Sequence, residues 1–260
     1  EVAVKVESVL DYMEANGYPF ATLALDSSRV EHDKLKVKLR LDPGSRITFD
    51  SLSISPKGIV KPDFLSKYLG LEYGEPYDDR SINEVSTRIQ HLPFISLEKM
   101  NTSFQLKKAR VHLDVERRKI NRFNGLLGLV PGRDGEGAVI TGELDLAIHN
   151  VFLSGKKIEI NWKKLEPGAQ QLHASYLHPV FLGSPLDFYF ELDQVRQDTV
   201  FSNRLLKLAF EYRPIRTLQI GLSYSNLLGN KLEDSDDMSG DFDIDNYGLS
   251  LTWYKLDNLI

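Results

Sequence analysis

Seven carboxylates crowd into one short run of this sequence, and they are its densest group of side chains that could do chemistry. They are Glu233, Asp234, Asp236, Asp237, Asp241, Asp243 and Asp245. Carboxylates at alternate positions bind hard cations such as Ca²⁺. Met238, however, stands where an EF-hand loop needs its third ligand, and Ser239 stands where that loop needs glycine. We therefore expect a solvated loop over 227–245 and no calcium site.

The other candidate groups also lack the spacing that catalysis or metal binding requires. His149, His173 and His178 fall at or near the ends of predicted strands, and no helix presents two histidines at i and i+4. The glycine-rich segment 131–137 links two strands instead of opening a helix, so we expect a hairpin loop and no phosphate cradle. Cysteine is absent. We expect no enzyme activity, no catalytic residue, no metal, no cofactor and, without a basic stripe, no nucleic-acid partner.

Strands with one apolar face hold most of these side chains. In the clearest one, Leu186, Phe188, Phe190 and Leu192 alternate with polar residues, a pattern that recurs without an intervening helix. The predicted strands lie near 120–130, 138–149, 156–164, 170–178, 185–196, 202–213, 216–226 and 246–256. Runs of about 9–12 residues with this alternation predict a transmembrane β-barrel wall, where lipid covers the apolar face. The predicted lipid-facing residues are Ile158, Ile160, Trp162, Leu186, Phe188, Phe190, Leu206, Leu208, Phe210, Leu249, Leu251 and Trp253.

The N-terminal part has a mixed pattern. Val6, Val9, Leu10 and Met13 predict a helix that ends at Asn16-Gly17, and two strands follow, over 21–30 and 34–41. The next predicted elements are a strand over 47–54, a helix over 64–69, a helix through Ile82 and Leu92, and strands over 95–105 and 109–117. Asp79, or Ser81 with Glu84, is the predicted cap of the longer helix. The helix and two strands of residues 1–43 repeat this order without its opening strand, so we expect a chain cut at its N-terminus.

Several motifs now carry a resemblance. Gly44-x-x-Ile47-x-x-x-x-Leu52-x-Ile54 and Leu69-Gly70-Leu71-x-x-Gly74-x-x-Tyr77 resemble the periplasmic POTRA domain. The segment from Asn150 to Ile158 is similar to the "N-L-F-G-x-G-x-x-L" hairpin of the BamA/TamA outer-membrane insertase superfamily. The Arg-Gly-Phe motif of the second half of that barrel is absent, which fits a cut chain.

The resemblance implies a division into three parts. Residues 1–43 would be the C-terminal part of one POTRA domain, 44–119 a complete α+β POTRA domain (β-α-α-β-β), and 120–260 an all-β antiparallel barrel segment. That segment would be about eight strands, half of a sixteen-stranded transmembrane barrel. With the POTRA side in the periplasm, the periplasmic connections are 150–155, 179–184 and 214–215, all short, as such barrels require.

The resemblance also implies a function without a catalytic side chain, in the bacterial outer membrane. Client strands would pair with the first barrel strand, at Asn124, Gly125, Leu126, Leu127, Gly128 and Leu129. A second edge for pairing is predicted in the POTRA unit, at Leu97, Lys99, Asn101, Ser103 and Gln105. The partners would be unfolded outer-membrane proteins, periplasmic or lipoprotein accessory subunits, and outer-membrane lipid. Two interpretations of Gly125 and Gly128 stay open: a weak seam, or relief of crowding at a barrel corner.

Two alternatives of other classes also stay open. A pore of the same superfamily, of the two-partner-secretion type, would pass a polypeptide through the barrel instead of inserting it. A soluble two-domain binding protein would close the sheet around a core, and would purify as a monomer without detergent.

Overall fold

The chain folds into two compact units, Glu1–Arg118 and Lys119–Ile260. The computed structural model describes residues 2–31, 34–132, 137–166, 168–197, 201–215, 218–231 and 240–253. Across these ranges, the helices are all too short or too polar to span a membrane.

The first unit combines a helix and hairpin with a three-stranded sheet and three further helices. Its elements are α1 (Val2–Glu14), β1 (Thr22–Glu31), β2 (Lys34–Asp42), β3 (Thr48–Ser55), α2 (Pro62–Leu69), α3 (Asp79–Asn83), α4 (Val85–Gln90), β4 (Ile95–Gln105) and β5 (Lys108–Arg117). Strand β5 is central in the sheet, parallel to β3 and antiparallel to β4. Alternate residues of β5 (Ala109, Val111, Leu113 and Val115) are buried in the core with Leu65 and Leu69 of α2 and with Val85 and Ile89 of α4.

The predicted long helix is two short ones, and its predicted caps are wrong. Helix α3 ends at Asn83 and α4 begins at Val85. The cap of α3 is Asp78, whose carboxylate accepts from the backbone N–H of Arg80 at 3.0 Å. Asp78 has the extended backbone of a cap residue, whereas Asp79 already lies inside the helix and accepts from the hydroxyl of Tyr77 instead.

The second unit is an eight-stranded antiparallel sheet in which each strand pairs with its neighbours in sequence. Its strands are β6 (Arg122–Pro131), β7 (Ala138–Val151), β8 (Lys156–Glu166), β9 (Ala169–His178), β10 (Leu186–Gln197), β11 (Phe201–Ile215), β12 (Leu218–Lys231) and β13 (Phe242–Trp253). All eight predicted strands are present.

The predicted acidic loop is shorter than 227–245. Strand β12 continues to Lys231 and β13 begins at Phe242, so Asp243 and Asp245 lie in a strand. The two strands extend because their polar ends hydrogen-bond across the pair: Asn226 Nδ2 donates to Asp243 at 2.6 Å and to Asp245 at 3.0 Å. Glu233, Asp234, Asp236 and Asp237 lie outside the described residues.

Candidate functional site: the edge strand of the eight-stranded sheet

Strand β6 forms one edge of the eight-stranded sheet and contains all six residues of the predicted pairing site. In the part of the chain that the structure describes, β6 pairs with β7 on one side and with no strand on the other. Its large apolar side chains are strongly exposed: Leu126 by 71%, Leu127 by 73% and Leu129 by 72%. An edge strand of this kind presents unpaired N–H and C=O groups that another strand can bind.

The two predicted glycines of β6 face opposite sides of the sheet. Gly125 stands opposite Leu144, and a Cβ there would lie 3.7 Å from Glu143 O and from Leu144 Cδ1, an ordinary contact. Gly128 stands opposite Thr141, whose Oγ1 would lie 3.2 Å from an added Cβ. A Cβ therefore fits at Gly125, and at Gly128 it fits after a small shift of the Thr141 side chain, so contacts within the described chain do not force glycine at either position.

Crowding does force glycine at Gly142 of β7, which the sequence analysis did not single out. Gly142 has φ +155, and a Cβ added there would overlap the carbonyl oxygen of Leu126. The backbone of β6 therefore lies unusually close to β7 at Leu126 and Leu127. The signal in the sequence was the gap that Gly142 leaves in the apolar alternation of Ile140 and Leu144.

A side-chain clamp holds the first residues of β6. Arg122 donates to both carboxylate oxygens of Asp145 on β7, at 2.6 and 3.1 Å, in the two-pronged geometry that guanidinium and carboxylate favour. Asn121 Oδ1 accepts from the backbone N–H of His149 at 2.8 Å. Arg122 lies just before the six residues of the pairing site, and Asn124 is the one residue among those six with a polar side chain. Sequence analysis missed this clamp because it joins two strands.

One face of the sheet, termed here the apolar face, holds all twelve predicted lipid-facing residues. The register aligns them across neighbouring strands: Trp162 stands opposite Leu144, Phe188 opposite Phe210, and Leu222 opposite Leu249. The apolar face has no Asp, Glu, Lys or Arg within its central positions, which are Phe123, Leu127, Leu129, Ile140, Leu144, Leu146, Ile148, Ile158, Ile160, Trp162, Leu172, Ala174, Tyr176, Leu186, Phe188, Phe190, Leu192, Leu206, Leu208, Phe210, Tyr212, Leu218, Ile220, Leu222, Tyr224, Tyr247, Leu249, Leu251 and Trp253.

The apolar face ends in polar pairs on the side of the β12–β13 connection. There Tyr224 and Tyr247 pack with ring centroids 5.3 Å apart, and the Tyr224 hydroxyl donates to Asp245 at 2.7 Å. The next cross-strand pair on the same face is Asn226 opposite Asp245. Tyrosines at such a boundary have one apolar and one polar end, as expected where a membrane meets water.

The opposite face, termed the polar face, carries ion pairs between charged residues of this sheet. They join Lys163 to Glu143 at 3.1 Å, Lys157 to Glu159 at 2.8 Å and Arg213 to Asp187 at 3.3 Å, besides the Arg122 clamp. Charges of both signs side by side require a hydrated surface. The two faces of the sheet therefore suit two different solvents.

The polar face also brings together one group of possible metal ligands. His173 lies in the middle of β9 and not near a strand end as predicted, and its Nδ1 lies 2.6 Å from Asp193 on β10. The ligand atoms of His173, Glu191 and Asp193 all lie within 4.8 Å of one another. The hydrogen bond between His173 and Asp193 gives these side chains a partner without an ion, and the absence of a metal site stays a prediction.

The predicted second pairing site lies in β4, an edge strand of the three-stranded sheet. A bulge between Leu97 and Lys99 shifts the register, so Leu97 stands opposite the buried Val115. After the bulge, Lys99, Asn101, Ser103 and Gln105 stand opposite solvent-exposed residues of β5 or the start of that strand. Because bulges interrupt strand pairing, the continuous edge runs from Lys99 to Gln105.

Three solved structures share this architecture at low sequence identity. BamA from Haemophilus ducreyi, in a form lacking POTRA domains 1-3, is 12% identical with a TM-score of 0.50, over 96% of this chain and 52% of that one. CdiB from Acinetobacter baumannii is 12% identical with a TM-score of 0.55, over 96% and 51%. CdiB from Escherichia coli is 12% identical with a TM-score of 0.55, over 97% and 50%. No family profile and no curated protein matches the sequence.

The chain therefore has the fold that BamA and CdiB share, and it spans about half the length of these structures. The predicted fold class, a POTRA-like α+β unit followed by antiparallel strands of a barrel, is confirmed. BamA and CdiB are different proteins with this one fold, so the fold alone does not assign a function to the chain. The function has to be argued from the residues.

Proposed function

We propose that this chain is part of an outer-membrane protein assembly factor, which folds and inserts β-barrel proteins. The observation that carries the proposal is the edge strand β6, which pairs on one side only in the described chain and exposes the apolar side chains of Leu126, Leu127 and Leu129. A client strand in lipid must satisfy every backbone N–H and C=O group by hydrogen bonding. An apolar edge strand offers those partners without exposing them to water.

The apolar face supports the membrane location. Leu249, Leu251 and Trp253 of β13 are exposed by 80%, 69% and 64%, and a contiguous apolar surface of this extent needs an apolar environment. We assign the twelve predicted lipid-facing residues to contact with the bilayer of the bacterial outer membrane. The polar face would then line the water-filled interior, and the POTRA-like unit would lie in the periplasm.

The clamp suggests how the pairing site opens. Arg122 and Asp145 fix the N-terminal end of β6, away from the β6–β7 connection, while the residues from Asn124 to Leu129 depend on backbone pairing and on the close approach at Gly142. A client strand would therefore enter along this second stretch, with β6 still attached to β7. No covalent bond is made or broken, so no catalytic residue or cofactor is required.

The edge of β4 is the proposed site for unfolded outer-membrane proteins, or for periplasmic or lipoprotein accessory subunits, before insertion. From Lys99 to Gln105 its side chains alternate between the two faces of the sheet, and Phe104 packs on Phe20 and Tyr77 with centroids 5.0 and 5.3 Å apart. An edge of this kind gives another strand a template for pairing.

A polypeptide-translocating pore is the second candidate, and the polar face favours it. Paired charges such as Lys163 with Glu143 keep the polar face hydrated, as a passage for an extended chain requires. The similarity to CdiB is as high as that to BamA. The two candidates differ in where the client ends: in the bilayer or beyond it.

Client assembly in vesicles tests the proposal. An unfolded outer-membrane barrel protein is added to vesicles with and without the chain, and its folding is followed by the heat-sensitive mobility of folded barrels in gels. We expect faster folding, with the client resistant to alkaline extraction. Client that is protease-protected but extractable would favour the pore, and folding at the rate of empty vesicles would overturn both. Purification of the chain as a monomer without detergent would overturn the membrane location itself.

A further inference from the structure

Two turns at the same end of the eight-stranded sheet share a sequence motif. His149-Asn150-Val151-Phe152-Leu153-Ser154-Gly155 connects β7 to β8, and His178-Pro179-Val180-Phe181-Leu182-Gly183-Ser184 connects β9 to β10. Both contain His-x-Val-Phe-Leu followed by one serine and one glycine. These two segments are termed here the VFL turns.

The VFL turns also share a strained backbone. The described chain has seven non-glycine residues with positive φ, and five lie in these turns: Asn150 (58), Phe152 (55), Leu153 (59), Val180 (53) and Leu182 (53). Large apolar and β-branched residues rarely adopt this conformation, which costs on the order of one to a few times the thermal energy and persists where the surroundings enforce it.

Matching hydrogen bonds hold the positive-φ backbone of both VFL turns. The backbone N–H of Ser154 donates to Val151 O at 3.3 Å, and that of Gly183 donates to Val180 O at 3.0 Å. A serine hydroxyl closes each turn, from Ser154 to Val151 O at 2.9 Å and from Ser184 to Phe181 O at 2.6 Å. Both turns are thus built to hold one geometry.

That geometry exposes a large apolar side chain from each turn. Phe152 is exposed by 75% and Leu182 by 86%. Burial of one such side chain in an apolar medium is favourable. A turn whose hydrogen bonds hold a large apolar side chain outward therefore indicates an apolar surface or medium that covers this side chain.

The second VFL turn is continuous with the apolar face. The ring of Phe181 packs against Phe188 of β10 and Phe210 of β11, with centroids 5.3 and 6.0 Å apart. Lys156, which follows the first turn, shares the face of Ile158. A lysine at the edge of an apolar band reaches lipid phosphates while its stem stays among apolar groups. The packing of Phe181 on the apolar face and the position of Lys156 both indicate that lipid covers these turns.

We propose that the two VFL turns insert Phe152 and Leu182 into the interfacial zone of the bilayer and anchor this end of the sheet in one leaflet. The inference rests on the proposed membrane location. It goes beyond that location because short turns of a membrane barrel would otherwise lie in water.

Tryptophan quenching in vesicles tests the anchor. The full chain carries W162F and W253F in the turn and loop variants, and F152W or L182W places the single tryptophan in one of the two turns. G137W reports on the loop at the opposite end, where an added side chain meets no neighbour within 4 Å, and W253F alone leaves Trp162 as the probe of the apolar face. The vesicles contain phosphatidylcholine brominated near the headgroup end of its acyl chains, and acrylamide serves as the aqueous quencher.

We expect the shallow brominated lipid to quench F152W and L182W at least threefold more than G137W, and acrylamide to quench them at least threefold less. Turn probes that match G137W, while Trp162 is quenched by lipid, would overturn the anchor and leave the proposed function standing. No lipid quenching of Trp162 would overturn the membrane location and the anchor with it. Because each turn has its own probe, a variant that fails to fold still leaves the other turn to decide.

Discussion

Replacement of Gly142 by alanine should loosen the pairing of β6 with β7. The added Cβ would overlap the carbonyl oxygen of Leu126 and would lie 3.1 Å from Leu127 Cα, and both contacts are backbone that cannot rotate away. The φ of +155 adds strain for any residue with a side chain. Strand β6 must therefore move away from β7 at Leu126 and Leu127, in the middle of the proposed pairing site.

The expected magnitude follows from two costs. A backbone region open essentially to glycine alone costs other residues about 1–3 kcal/mol, and each weakened ladder hydrogen bond costs about 0.5–1.5 kcal/mol. Their sum of about 2–4 kcal/mol corresponds to roughly 30-fold to 700-fold more frequent opening of the β6–β7 pair.

Hydrogen–deuterium exchange of the chain in lipid nanodiscs measures this opening. G142A should speed the exchange of the paired β6 amides by that factor and leave β8–β9 unchanged. The matched control is G125A, because Gly125 lies opposite β7 on the same edge but an added Cβ meets ordinary contacts there. G125A should slow β6 exchange slightly, since alanine loses less conformational freedom than glycine. Equal exchange in G142A and wild type, within threefold, would refute this account of the close approach.

Three further predictions concern the apolar face, the clamp and the POTRA-like unit. L208R should destabilise the sheet in lipid by about 2–4 kcal/mol in a urea titration, whereas A209R, on the polar face one residue further, should stay within about 0.5 kcal/mol; equal losses would contradict the two-solvent assignment. R122Q and D145N should each speed exchange at the start of β6 by up to about fivefold, and the double variant should add little, because both remove the same pair. Hydrogen bonds from Lys108 and Arg110 lower the pKa of Asp50 from its ordinary 3.8. This pairing therefore stabilises the unit above that pH, and the stabilisation is lost as the pH falls through the lowered pKa. D50N should melt at a lower temperature than wild type at pH 7 and approach wild type in acid, and a melting difference that stays constant with pH would exclude the pairing.

The strands of the second unit could be predicted from sequence because their alternation is local information. Phe188 and Phe190 face away from Asp187 and Glu191 whatever the neighbouring strand is. The face of each strand followed, and so did the connections near 150–155 and 179–184. The predicted turn at 214–215 is wrong, because these residues belong to β11. The exact strand ends did not, because the extension to Asp243 depends on Asn226 of another strand.

Features that join two strands could not be predicted. The clamp of Arg122 and Asp145, the approach of Leu126 to Gly142 and the group around His173 all depend on register, which a single sequence does not specify. The cap of α3 was missed for a similar reason, since capping by Asp78 depends on an extended backbone before the helix.

Cross-linking of a client strand to β6 tests the central claim most directly. The chain has no cysteine, so L127C and L129C each introduce one thiol on the pairing edge, and I160C places one on the apolar face away from it. A barrel client with single cysteines along its last strand is arrested during assembly and oxidised. The account predicts adducts from L127C and L129C whose preferred client positions differ by two residues, as strand pairing in a fixed register requires, and none from I160C. Adducts from I160C at the same yield, or none from either edge position, would contradict it.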